Sequence, residues 1–105
     1  MKGEAMNIDD ICQDLLVIEE GLDCGTIAFA YDNLSSAMKC GHPADIFGSI
    51  IAEVFWDIQA GKEPEKTALE NVLKGLKRFK RSFKVKELSK PIKDLEAYLN
   101  NLNQN

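Results

Sequence analysis

One stretch limits what this chain can fold into more than any other, and it runs from Pro43 to Ala60. Ile46, Phe47, Ile50, Ile51, Val54, Phe55 and Ile58 recur there at helical spacing. At ~100° per residue they cover roughly half the circumference of a helix. A face that wide needs partners on more than one side. The expectation is therefore an all-α fold, a compact bundle of four to five helices around a central apolar helix at about 43–60. Pro43 suits the first helical turn, where a missing N–H costs nothing, and Gly61 suits the stop. Trp56 breaks the pattern. It projects nearly opposite the middle of the apolar face, in line with Gly48, Ser49 and Ala52.

The rest of the chain supplies the partners. Asn7 suits the N-cap of a helix starting at Ile8, with Ile8, Ile11, Cys12, Leu15, Leu16 and Ile18 on its apolar face. Gly21 and Gly25 bracket a predicted break around Leu22–Cys24. A second helix is predicted from about Thr26 to Lys39, carrying Ile27, Ala30, Tyr31, Leu34, Ala37 and Met38, with Gly41 as its C-terminal cap. Pro64 is expected to open a further helix with the stripe Leu69, Val72, Leu73, Leu76, Phe79 and Phe83, whose end falls somewhere in 82–86. Ser89 is the expected N-cap of the last helix, where Leu88, Ile92, Leu95, Leu99 and Leu102 alternate steps of four and three. No run alternates with the period of two that a half-buried strand requires.

A chain of 105 residues fits one domain spanning 1–105, with 1–6 expected as a disordered leader and 103–105 as a fraying polar tail. No stretch approaches the ~18 apolar residues of a membrane span, and the first residues lack a signal-peptide core. Three cysteines without a paired spacing point to a reducing, cytoplasmic setting.

Charge is segregated. Residues 1–72 hold 14 acids and 4 bases, whereas 73–93 hold 9 bases and one acid, Glu87. Lys74, Lys77, Arg78, Arg81 and Lys84 form a basic stripe beside the apolar one. That stripe has three readings: phosphate contacts to nucleic acid, an acidic membrane surface, or pairing with acids of the first or central helix, within the chain or across a dimer. An overall acidic protein with no stacking aromatics near the stripe argues against the first. The neighbouring Phe and Leu residues are explained more simply as core, which argues against the second.

Candidate chemistry is sparse. Cys12, Cys24, Cys40 and His42 make up a Cys₃His set by composition only; they lack a C-x-x-C pair, and Cys12 falls on an apolar face. His42 with Cys40 forms a two-residue dyad, and His42 as a polar cap is the simpler reading. The carboxylates Glu19, Glu20 and Asp23, with Glu53 and Asp57 on the central helix, resemble the paired acidic signatures of MazG-like all-α nucleotide pyrophosphatases. In those enzymes an E-E-x-x-E helix faces a later E-x-x-D helix. The resemblance covers about forty residues. It departs in having Asp23 for a Glu and a four-residue step from Glu53 to Asp57. It implies magnesium held by Glu19, Glu20, Asp23, Glu53 and Asp57, and pyrophosphate release from nucleotides. A di-iron bundle would need E-x-x-H, which the chain lacks.

Lacking a coherent acid, base and nucleophile set, the chain is expected to act without catalysis or cofactor. The expectation is a small regulatory or adaptor protein working through protein–protein interaction and self-associating as a homodimer. By architecture alone it is analogous to bacterial adaptor, immunity or phage-encoded regulatory proteins. Trp56, with Ala52 and Gly48, is the expected contact, since Trp is enriched at binding hot spots; the opposing expectation is a Trp56 buried by a fifth helix. The alternative is a nucleic-acid-associated regulator using the basic helix 73–93.

Overall fold

The computed structural model describes residues 7–27 and 41–104, with side chains to 102. Among these are four α-helices: α1 (Ile8–Asp23), α2 (Pro43–Gln59), α3 (Lys66–Phe83) and α4 (Ser89–Gln104), with a 3₁₀ turn at Lys86–Leu88 leading into α4. No strand occurs among the described residues, so the chain is an all-α bundle. Of the second helix expected at 26–39, Thr26 and Ile27 are non-helical and the rest lies outside the described residues, as does Cys40.

Each helix packs against its neighbours in order, and α4 returns to α1, closing a ring. Sequence neighbours run in opposite directions. Glu19 of α1 meets Gly48 of α2, Ile50 of α2 meets Gly75 of α3, and Lys77 of α3 meets Glu96 of α4. Lys90 of α4 then meets Asp14 of α1. The wide apolar arc of α2 explains its two-sided packing. Phe47, Ile51 and Val54 are buried, while Ile46, Ile50, Phe55 and Ile58 are half-buried against the same core. Phe47, Phe79 and Phe83 build the aromatic centre, with Phe47 edge-on to Phe79 at 5.3 Å and Phe79 stacked on Phe83 at 4.3 Å.

Local chemistry sets the helix ends. Asn7 accepts the Asp9 N–H at 3.0 Å, as its N-cap role predicts. His42 Nδ1 accepts the Ala44 N–H at 3.1 Å, ahead of Pro43 in the first turn of α2. Gly25 (φ 73°) and Gly61 (φ 76°) take the left-handed position after α1 and α2. There the Thr26 N–H reaches the Gly21 carbonyl and the Lys62 N–H reaches that of Asp57, the pattern of a Schellman close.

Several boundaries differ from expectation. Gly21 lies inside α1, in its last turn, because Ile27 folds back over it; a β-carbon there would stand 2.7 Å from Ile27 Cδ1. Pro64 does not open α3. It is buried just before Glu65, the N-cap residue, which makes no side-chain cap bond. Lys84 ends α3 at φ 57°, the one non-glycine residue with positive φ among those described. Ser89 begins α4 directly from the 3₁₀ turn, so α4 has no separate cap there, and its backbone stays helical through Gln104, past the expected fray point. Leu16 and Leu102, expected on apolar faces, are each 37% exposed at the margins of the core.

Candidate functional site

Trp56 is 71% exposed, the most exposed large apolar side chain among the described residues. Its position follows from the register of α2. Residues 47, 51 and 54 turn inward, which carries 48, 52, 56 and 59 to the outer face beside α1. Leu16, Gly48, Ala52, Phe55, Trp56 and Gln59 line a shallow groove along the α1–α2 seam, with Glu19 at one end. Trp56 is not buried among the described residues and shares its groove with Gly48 and Ala52, while the helix expected at 26–39, which would make a fifth, lies largely outside them. Val17, 66% exposed, lies further round α1. Leu16 was missed as a surface residue because its spacing fits the apolar stripe of α1; only the position of α2 shows it is peripheral.

Where the groove meets the start of α2, Glu19, Glu20, Asp23 and Asp45 surround an acidic hollow floored by Ala44. Glu19 Oε2 leans over Gly48, so close that a β-carbon there would lie 2.7 Å away. Partial burial, then the charges of Asp23 and Asp45, raise the Glu19 carboxyl above its ordinary value. Asp45 was not foreseen as a member of this group, since it belongs to the next helix and only antiparallel packing brings it in. The second carboxylate pair, Glu53 and Asp57, does not join the hollow. Glu53 stands eight residues beyond Asp45 along α2, about 12 Å by helical rise. Among the described residues no three His, Cys, Asp or Glu side chains converge on a point able to hold a metal ion.

The basic stripe divides. Lys77 pairs with Glu96 of α4 at 2.8 Å, while Lys74, Arg78, Arg81 and Lys84 are exposed and make no ion pair among the described residues. Lys90, outside the stripe, bridges Asp94 at 2.8 Å and Asp14 of α1 at 3.1 Å. The intramolecular pairing expected with the first or central helix thus forms instead on α4, with α1 reached only through Lys90. The helical register explains this: Lys77 faces the neighbour of α3 on the side away from α2.

His42 acts as a helix cap, its Nδ1 engaged by the Ala44 N–H. Cys12 is buried and Cys24 exposed, both as free thiols. Burial, assisted by the charge of Asp9, pushes the Cys12 thiol up to about 11, which makes it a core residue rather than a nucleophile. No helix among the described residues is long and apolar enough to cross a membrane. Comparison with known protein families, with curated proteins and with solved structures finds no match.

Proposed function

We propose that this is a small non-catalytic binding protein, regulatory or adaptor in kind, that acts through protein–protein contact at the α1–α2 face. The observation that carries this reading is Trp56. An indole exposed at 71% on an otherwise well-packed helix leaves a large apolar surface in water, and such anchors dominate binding energy when covered. Ala52 supports the reading, because a small residue beside an aromatic anchor leaves room for an incoming side chain, while Gly48 seats the Glu19 carboxylate at the end of the groove. Free thiols at Cys12 and Cys24 favour a reducing, cytoplasmic setting.

Peptide-display selection on the wild-type protein, counter-screened on Trp56→Ala, tests the reading. Binders that require Trp56 are expected. Binders that ignore Trp56 overturn it, as does magnesium-dependent pyrophosphate release from nucleotides that disappears in Glu20→Ala or Asp57→Ala. Self-association is measured in the same proteins by light scattering, where a dimer lost in Trp56→Ala makes a second copy the occupant.

A second reading rests on the cations Lys74, Arg78, Arg81 and Lys84, which have no ion-pair partner among the described residues and favour a phosphate-bearing polymer. Fluorescence anisotropy with a labelled oligonucleotide decides it. Affinity should fall steeply between low and moderate salt, and the slope should shrink in Arg78→Ala with Arg81→Ala.

A further inference from the structure

We propose that the α1–α2 groove receives a cationic amphipathic helix from a protein partner, its apolar residues against Leu16, Ala52, Phe55 and Trp56 and a Lys or Arg in the hollow of Glu19, Glu20, Asp23 and Asp45. The proposal rests on the Trp56 reading above and adds the chemistry of the occupant. Groove and hollow are one continuous surface, because Glu19 borders both. None of the four carboxylates in the hollow has an ion-pair partner among the described residues, the observed pairs being made by Lys77 and Lys90 elsewhere. Like charges left together beside an apolar strip favour an incoming cation both in encounter and in the bound state.

Dimensions fit the same occupant. From Asp45 to Trp56 is eleven residues of α2, about 17 Å by helical rise, or roughly three turns of a partner helix. A second copy paired through the same face would bring two acidic hollows to one interface, since an isologous contact repeats each patch.

The test uses three acetylated, amidated peptides of about 16 residues. All share Leu and Phe at helical spacing, with the remaining positions Lys and Arg, Glu and Asp, or Gln and Ser. Binding is followed by emission of Trp56, the one tryptophan in the chain, and by calorimetry. The basic peptide should shift Trp56 emission to the blue and bind at least about tenfold tighter than the neutral one, while the acidic peptide should not bind. Trp56→Ala should abolish the calorimetric signal. Glu19→Gln with Asp23→Asn should reduce the basic peptide to the affinity of the neutral one without affecting the fold, checked by circular dichroism.

Equal binding of the basic and neutral peptides overturns the cationic occupant but leaves the Trp56 reading standing. A concentration-dependent dimer that Trp56→Ala dissociates does the same and assigns the groove to a second copy. Failure of acrylamide to quench Trp56 in the free protein overturns both readings, since the chain then covers its own groove.

Discussion

Lys84 closes α3 in the left-handed conformation, with its own N–H and that of Val85 both directed to the Lys80 carbonyl. A side chain in that region costs about 1–2 kcal/mol because its β-carbon crowds the following carbonyl. Glycine removes the crowding but gives back about 0.5–1 kcal/mol through the greater freedom of the unfolded chain. Lys84→Gly should therefore stabilise the protein by about 0.5–1 kcal/mol. For a domain of this size that corresponds to about 2–5 °C in Tm.

A competing cause must be separated. Lys84 stands beside Lys77, Lys80 and Arg81 around one groove, so removing its charge relieves repulsion as well. Lys84→Ala removes the same charge and retains the β-carbon. Urea unfolding of wild type, Lys84→Gly and Lys84→Ala isolates the backbone contribution as the difference between the two variants. Equal gains in both would refute the strain argument and assign the effect to charge. A loss in Lys84→Gly would refute the account of the cap itself.

Gly75→Ala should destabilise by about 1–3 kcal/mol despite the better helix propensity of alanine, because the new methyl would lie 2.7 Å from Ile50 Cγ2; Ile50→Ala in the same chain should return part of the loss in chemical denaturation. Phe79→Ala, at the fully buried aromatic centre, should cost about 3–5 kcal/mol, whereas Trp56→Ala should change stability by less than about 0.5 kcal/mol. Glu19 has a folded-state pKa above its unfolded value, so the folded protein binds its proton more tightly and stability falls as pH rises through the carboxylate range. Glu19→Gln should accordingly be more stable than wild type near neutral pH, with the gain vanishing below about pH 4 in a urea series. Iodoacetamide followed by peptide mapping should label Cys24 readily and Cys12 only after unfolding, since Cys12 is buried with its thiol raised to about 11.

The fold was readable where periodicity was long and strong. The buried set of α3, Leu69, Val72, Leu76, Phe79 and Phe83, is the stripe the spacing predicts except for Leu73, which is half-buried, and Pro43 and Gly61 mark the ends of α2 as their chemistry requires. Glycine was a less certain guide. Gly21 reads as a break in the sequence but serves a close approach by Ile27, a contact that local spacing does not encode. The groove was half legible. Gly48, Ala52 and Trp56 follow from the register of one helix, but Leu16, Glu19 and Asp45 join only through the antiparallel meeting of α1 with α2. The basic stripe was legible as composition, yet which of its cations finds a partner among the described residues, Lys77 with Glu96, depends on where α4 lies.

The return of α4 onto α1 places Asp14 and Lys90 in contact across 76 positions of sequence. During synthesis α1 therefore lacks one of its two helical neighbours among the described residues until Ser89–Gln104 has emerged. Asp14, and by helical spacing Ile11 and Ile18 one turn to either side of it, then border an unfilled flank while α2 and α3 are already available. Folding of the complete ring is consequently a late event, limited by a long-range closure rather than by the helices themselves. Nascent chains stalled before Lys90 should expose apolar surface on α1 to chaperones, and release of α4 should hide it in a single step.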